Sequence, residues 1–550
     1  MYNGSFLFAR VHPPGLEPGT TDPKSVMISI SLWVQVRAII RGRRILCNAK
    51  RHANDTMPIF MITRSDIPKE VQHVADTLES RGFEAYLVGG CVRDLILEHT
   101  PNDWDITTNA HPLEIESLFP ETFVNNDYGT VGVVTESDDP QVKIVEVTPY
   151  RTESEYTNAR HPDKVEFGVS LIDDLKRRDF TMNAIAFRLK TGELVDPYGG
   201  EADAKKGIVK AVGNPTERFG EDALRMMRAV RLAVRLQFTI EGDTMAAIAT
   251  NAENLGRISK ERIRDEFVKI LASKQPMQGI IFLEKLGLLP FVAPDLTRGI
   301  GVEQNQAHAF DVYEHLLRTM QHAADKDWSF DVRLAGLFHD ISKPETRRWS
   351  KEKNDWTFHG HEVVGAKVTK KALQDLKFPR ETIEKVVKLV RWHMFFSDPD
   401  QVTLSAVRRT IANVGQEHIW ELMQLRRCDR IGTGRPKEQP FRLRKYTAMV
   451  EEALRDPISV KMLKVDGSRI MELTGEKPGP KLGHTLNALL EEVLDEPGKN
   501  TTEYMEERAV ELMKLPEDEL KTLGDAGRLK REAEEAAEIA ELQKKHGVCC

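Results

Sequence analysis

Only five cysteines occur in 550 residues, at Cys47, Cys91, Cys428, Cys549 and Cys550, and no two of them form a C-x-x-C pair. Neither a disulfide framework nor a cysteine-based structural zinc site is expected, and a reducing, cytoplasmic compartment fits. The terminal Cys549-Cys550 is not a prenylation box. Long apolar runs are also scarce. The longest near the N-terminus, 26–40, contains Gln35 and Arg37 and is too short to span a membrane, so no membrane partner is expected. Nor is there an excess of positive charge, the net being −7 at pH 7. That balance excludes a basic coat for non-specific nucleic-acid binding and confines any RNA contact to a local groove or helix. No repeat of solenoid period is present.

What remains is a globular composition, 40% hydrophobic and 30% charged, in a chain long enough for three or four domains. Residues 1–60 read as a disordered extension, or as sequence ahead of a true start at Met57 or Met61. From about Pro68, Val71, Val74, Ala75 and Leu78 recur at helical spacing and lead into 85–88, which reads as a buried strand. Further strands are expected over 130–134, 142–148 and 184–189. Beyond Arg218 the strand signal fades. Helical spacing then dominates through 308–340, 361–394, 404–427, 441–454 and 483–512, and 517–545 reads as a solvated helix of mixed charge. The expected fold is α+β. A small mixed-sheet head (61–200) is followed by a helical neck and body (201–300), a second helical domain (301–435) and a helical tail (436–550).

Gly89-Gly90 stands between a strand and a helix, followed by Arg93. Glycine lets backbone approach a phosphate, the helix N-terminus supplies free N–H groups, and Arg93 adds a fork of charged donors. Asp103-Trp-Asp105 follows. In extended backbone, residues i and i+2 share a face, so two carboxylates converge where a cation relieves their repulsion. Such oxygen ligands suit Mg²⁺ held together with substrate phosphates. Glu146, within the expected strand 142–148, is either a third ligand or a salt-bridged strand residue. Further on, Glu221 and Asp222 place acids at the start of an expected helix. Asp222, Arg225, Arg228 and Arg231 then form a slowly drifting stripe along it. Cytosine and adenine each present an amino donor beside a ring-nitrogen acceptor. The acceptor-only Asp222 beside the donor-only Arg225 matches that pattern and clashes with guanine and uracil. Arg228 and Arg231 would then meet the triphosphate or the RNA end; the bland alternative is a solvated face with an Asp–Arg pair.

These segments together resemble one family. Residues 85–110, including Gly-Gly-Cys-Val-Arg-Asp and Asn-Asp-Trp-Asp, look like the nucleotidyltransferase signature of bacterial-type, class II CCA-adding enzymes and bacterial poly(A) polymerases. The likeness continues at Glu146-Val-Thr-Pro-Tyr-Arg151, Arg160-His-Pro, Asp174-Leu-Lys-Arg-Arg-Asp-Phe-Thr-Met-Asn183, Asp196-Pro-Tyr-Gly-Gly200 and Glu221-Asp-Ala-Leu-Arg-Met-Met-Arg228. It implies two-metal transfer of CMP and AMP from CTP and ATP to a tRNA 3′ end, with Asp103, Asp105 and Glu146 catalytic. It further implies nucleotide binding by Gly89, Gly90, Arg93, Arg178, Asp222, Arg225, Arg228 and Arg231, with Asp179 and Asn183 organising the site. Residues 151–168 resemble the flexible loop with which such enzymes switch from CTP to ATP.

His315, His339-Asp340, His361, His393 and Asp429 resemble the ligand set of HD-superfamily metal-dependent phosphohydrolases. Imidazole with carboxylate suits Mn²⁺, Ni²⁺ or Fe²⁺ better than Mg²⁺ alone. Ser342 stands where that family usually has glycine. The resemblance implies metal binding and leaves hydrolysis and a scaffold role for the RNA both open. Three rival readings stand beside CCA addition: a poly(A) polymerase, a phosphohydrolase whose transferase half is secondary, and an RNA-binding protein with a decayed head.

Overall fold

A computed structural model describes residues 62–124, 129–154, 164–395 and 402–525. The expectations for 1–60, and for the charged stretch beyond 525, lie outside the described residues. The chain divides into two compact units, Met1–Ile258 with Lys285–Leu288, and Ser259–Glu284 with Leu289–Cys550.

The first unit is built on a seven-stranded sheet. Its strands are β1 (Ala85–Val88), β2 (Asp105–Thr108), β3 (Thr122–Val124), β4 (Val131–Val134), β5 (Ile144–Pro149), β8 (Ala186–Arg188) and β9 (Glu193–Val195), in the order β3-β4-β5-β2-β1-β8-β9. All four residues of β1 are buried. Helix α1 (Lys69–Ser80) packs against that strand and buries Val71, Val74, Ala75 and Leu78, the helical spacing seen in the sequence. Strands β3 and β9 escape sequence reading because three partly exposed residues carry little period-2 signal.

Every neighbouring pair in this sheet is antiparallel except β2 with β5. A parallel pair needs a crossover connection, and residues 109–143 supply it. Its register sets Asp105 directly against Glu146. A separate ribbon joins β6 (Arg151–Ser154) to β7 (Lys164–Phe167). The expected flexible loop 151–168 is therefore strand-paired at both ends, and residues 155–163 lie outside the described ones.

A two-residue parallel pair joins β10 (Ile208–Val209) to β11 (Thr239–Ile240), the latter beyond the point where the sequence's strand signal fades. The expected helix starting at Glu221 also needs correction. Helix α2 (Gly90–Ile96) follows β1 as expected, but α3 (Pro215–Glu221) ends at Asp222, whose φ of −138° is extended, and α4 (Leu224–Leu236) starts afresh. The Asp222 side chain accepts the Leu224 N–H at 3.0 Å. A short carboxylate that bonds the local backbone competes with helix continuation. Glu221 thus ends one helix and does not open the next.

The second unit is mostly helical. Helices α5 (Val312–Asp325), α6 (Phe330–Phe338), α7 (His361–Asp375), α8 (Arg380–Trp392) and α9 (Ile419–Gly432) pack together, α5 lying against both α6 and α9. Between α6 and α7 an antiparallel hairpin, β12 (Arg348–Ser350) with β13 (Asp355–Thr357), interrupts the helical pattern. Downstream, Ile470, Leu489, Val493, Met505, Ala509 and Leu512 bury a core of their own. Among the described residues no helix is long and apolar enough to cross a membrane.

Candidate active sites

The first site forms where β1 ends. Gly89 has φ +81°, a left-handed conformation suited to glycine, and opens α2 as its N-cap. A Cβ built there would stand 3.1 Å from Arg178 Nη1 and 3.8 Å from Asp105 Oδ2. The missing side chain leaves the backbone facing a guanidinium and a carboxylate. Trp104 is buried, Asp105 opens β2, and the exposed Asp103 lies in the bend just before it. Burial raises the Asp105 carboxyl to about 7, with the Asp103 and Glu146 charges adding to the rise and Arg178 opposing it. The parallel register sets Glu146 beside Asp105. Such a set fits a hard divalent cation, because a group this unfavourably charged gains most from a positive ion. The three head carboxylates do not form a tight ligand cluster within 4.8 Å; among the described residues only the second unit has such groups.

Arginines surround this centre, and most already have protein partners. Arg93 is buried, with Nη1 donating to Asn183 Oδ1 at 2.8 Å and Nε to Asp94 Oδ1 at 2.8 Å. Arg178 Nη2 donates to Asp174 at 3.3 Å, while its Nε is buried without a hydrogen-bond partner among the described residues. An orphaned donor beside the Gly89 opening suits an anionic oxygen from a ligand. Asp174 does not stand out as a functional residue in the sequence. It is buried between Arg177 and Arg178, and although burial alone would raise its carboxyl, those two charges hold it below the usual range. Its i, i+3, i+4 spacing to the arginine pair was the available signal. Cys91 Sγ lies 3.8 Å from the Asp105 carbonyl, and burial pushes its thiol up to about 12, which leaves it unreactive at neutral pH.

The expected base-reading stripe is anchored the same way. Arg225 Nη1 donates to Glu221 Oε2 at 2.6 Å and its Nη2 to the Arg177 carbonyl at 2.9 Å. Arg228 Nε donates to Asp179 Oδ2 at 2.7 Å. Asp179 also accepts from Asn183 Nδ2, and Asn183 receives Arg93. Arg93, Asn183, Asp179 and Arg228 therefore form one network. Arg225, Arg228 and Arg231 lie on α4, whereas Asp222 sits at the break before it.

A second site gathers in the helical unit. His315 lies on α5, His339-Asp340 just past α6, His361 at the start of α7, His393 at the end of α8, and Asp429 on α9. His315, His339, Asp340 and Asp429 bring one ligand atom each within 4.8 Å of one another, as do Asp340, His361 and His393, and all six are buried. Asp340 belongs to both groups, with Oδ2 at 3.0 Å from His315 Nε2 and Oδ1 at 3.1 Å from His361 Nε2.

The Nδ1 atoms of His339, His361 and His393 each donate to a backbone carbonyl three residues back, at 2.9, 2.6 and 2.7 Å. Those bonds turn each Nε2 inward, which is the arrangement of ligating imidazoles; although burial opposes it, the Asp340 and Asp429 carboxylates raise His339 to about 9. Burial lowers His393 to about 4, keeping it neutral. Ser342 donates its hydroxyl to the His361 carbonyl at 2.6 Å and so ties two ligand-bearing segments together. Lys343, at the end of the HD-like run 337–343, is buried and places Nζ 2.6 Å from Asp340 and 2.7 Å from Gln304.

Known proteins share both sites' segments. Residues 85–210 match a family model described as poly A polymerase head domain, 237–300 one described as probable RNA and SrmB-binding site of polymerase A, and 312–432 an HD domain. A CCA-adding enzyme of Lactobacillus helveticus is 34% identical over 447 residues, covering 80% of this chain and 96% of that protein. The CCA-adding enzyme of Limosilactobacillus reuteri reaches 48% over 208 residues, 38% of this chain and 50% of that one. Among solved structures, the Bacillus stearothermophilus CCA-adding enzyme in complex with CTP superposes with a TM-score of 0.59 at 28% identity, over 80% of this chain and 96% of that one.

Proposed function

The chain belongs to the CCA-adding enzyme family, and on that premise we propose that it adds CMP, CMP and AMP to the tRNA 3′ end from CTP and ATP. The observation that carries the chemistry is the placement of Asp105 beside Glu146 and beneath the Gly89 opening, with Arg178 across from it. The RNA 3′-hydroxyl oxygen attacks the α-phosphorus, the bond to the bridging oxygen breaks, and pyrophosphate leaves. Asp103 and Asp105, with Glu146 adjacent, would hold Mg²⁺, which supplies neutralisation of the triphosphate and lowers the pKa of the attacking hydroxyl. Arg178 orients the phosphates through its spare donor, and the Gly89 backbone leaves room for them. Arg93 acts from beneath, fixing Asn183 and through it Asp179 and Arg228.

Base choice falls to Asp222 and Arg225. Glu221 and the Arg177 and Arg218 carbonyls hold the Arg225 fork in one orientation, so its remaining N–H groups meet a base with little ordering cost. Asp222→Ala is expected to relax discrimination against UTP and GTP by roughly 10–100-fold while CTP incorporation falls less. Single-nucleotide incorporation kinetics with each triphosphate check this, and unchanged ratios would remove Asp222 from the reading. The general test is primer extension on tRNA transcripts ending before CCA, after C and after CC. Ordered addition of C, C and A followed by a stop is the expected result; long A tracts on any RNA would make the chain a poly(A) polymerase.

A second activity is favoured by the convergent Nε2 atoms around Asp340. We infer a metal-dependent phosphohydrolase centre there, with Mn²⁺, Ni²⁺ or Fe²⁺ as the fitting cations. Since a ligand that binds only the native state raises its stability, Mn²⁺ or Ni²⁺ is expected to lift the Tm of the wild-type protein but not that of Asp340→Ala, because Asp340 belongs to both ligand groups. Thermal scans of the two proteins with and without each ion check it; equal shifts would place the ion elsewhere.

A further inference from the structure

The hairpin β12–β13 is the one strand pair in the second unit's described residues, and its composition differs from its helical surroundings. Between 347 and 357 it carries Arg347, Arg348, Lys351 and Lys353 against Glu352 and Asp355, whereas the whole chain is net negative. Trp349 and Trp356 are register partners across the two strands and so share a face. Their rings meet edge to face, 5.0 Å apart at 81°. Arg347 lies over the Trp356 ring at 3.5 Å, and its guanidinium also faces Glu303 at 3.7 Å. Trp349 is nevertheless 48% exposed.

A held, half-exposed indole forgoes stability, since covering that surface would favour the fold. The opposite face is covered near the turn: Ser350 is buried, and Asp355 accepts the backbone N–H groups of Gln306 and Trp356, while Arg348 on the same face is exposed. The hairpin is therefore rooted on one side and presents aromatic rings with cations on the other. Its roots are also specific. The chain enters it from Lys343–Thr346, whose Lys343 touches Asp340, and leaves it through buried Phe358 to His361. Lys343 Nζ stands 5.3 Å over the Phe358 ring.

From this juxtaposition we propose that the β12–β13 hairpin is a docking element for single-stranded RNA, in which an unpaired base stacks on Trp349 while Lys351 and Lys353 meet the flanking phosphates. The chemistry favours this occupant over duplex RNA or an acidic protein. Every base has a π-face for an indole, and an exposed ring flanked by cations is the pattern of sequence-tolerant single-strand platforms. A duplex keeps its bases stacked on one another and offers only its backbone and groove edges. The proposal rests on the reading of the chain as an enzyme whose substrate is an RNA end, and it adds a contact remote in sequence from the nucleotidyl-transfer motifs.

The test uses the full chain. Affinity for a short, unstructured, end-labelled RNA is measured for the wild type, Trp349→Ala, Trp349→Phe and the double variant Lys351→Gln/Lys353→Gln, with a duplex of the same sequence as control. Trp349→Ala is expected to weaken single-strand binding about tenfold or more, Trp349→Phe to retain most of it, and the lysine variant to flatten the salt dependence. Incorporation of CMP at saturating tRNA is followed in parallel and is expected to be unchanged in all of them. Equal single-strand affinity for the wild type and Trp349→Ala overturns the proposal, as does an equal loss on the duplex. Were the wild type to incorporate no CMP and yet show the Trp349-dependent binding, the transferase reading would fall and the hairpin would stand.

Discussion

Asp105→Ala is expected to lower nucleotide incorporation by on the order of 10³-fold or more while leaving the fold intact. Asp105 stands at the start of β2, an interior strand, and its neighbours Asp103 and Glu146 repel it. Removing it takes away a cation ligand at the reacting phosphate, and charge neutralisation there is worth several kcal/mol of barrier. The same removal relieves repulsion inside the native protein, so Tm is not expected to fall. Single-turnover incorporation of labelled CMP, with thermal unfolding alongside, separates the two effects. Activity within tenfold of wild type would exclude Asp105 from the centre, and a collapse of Tm would make it a structural residue.

Asp179 gives the opposite pattern, a large loss of stability. Its carboxylate accepts from the Phe180 N–H at 2.9 Å, from Asn183 at 3.2 Å and from Arg228 at 2.7 Å. Burial would push its carboxyl up, but Arg228, with Arg225 behind it, holds it at about 2. Asp179→Ala leaves Arg228 without its carboxylate and is expected to cost about 3 kcal/mol, the lower end of the range for breaking a buried pair, because Arg228 is partly exposed. Denaturant unfolding measures it. A group whose native pKa lies below its unfolded value contributes stability above the unfolded pKa and loses it as pH falls through the native one. The difference between wild type and Asp179→Ala is thus expected to be full above about pH 4 and to shrink toward pH 2. A difference independent of pH would mean that the loss comes from packing and not from charge.

The two outcomes correspond to two roles within one motif-bearing region, with Asp105 placed for a ligand and Asp179 for the protein. Their sequence settings do not separate them, since each is an acid near arginines or other acids within a recognisable segment. Burial and partners separate them, because the neighbours of Asp105 are carboxylates while Asp179 is ringed by donors.

Local patterns in the chain determined a good deal. An apolar run of four gave a buried β1, helical spacing of valines and leucine gave α1, and Gly-Gly followed by an arginine placed a turn into a helix, because each depends on neighbours within a few residues. The Asp-x-Asp and His-Asp signatures likewise picked out two clusters of candidate ligands. Tertiary structure decided what depended on distant partners. The parallel pairing of β2 with β5 put Glu146 beside Asp105 across a long crossover, and no local spacing encodes such a register. Helix propensity through Glu221–Arg231 concealed the break at Asp222, where a side chain displaced the helical pattern by accepting a backbone N–H. The arginines of the expected nucleotide site also bond Glu221, Asp94 and Asp179, since a buried guanidinium must find acceptors wherever the fold supplies them. Five helices had to converge before six scattered histidines and aspartates became a centre. Residue identities specified which chemistry was available; the packing of distant segments specified where each charge could be satisfied, and hence which side chains face a substrate.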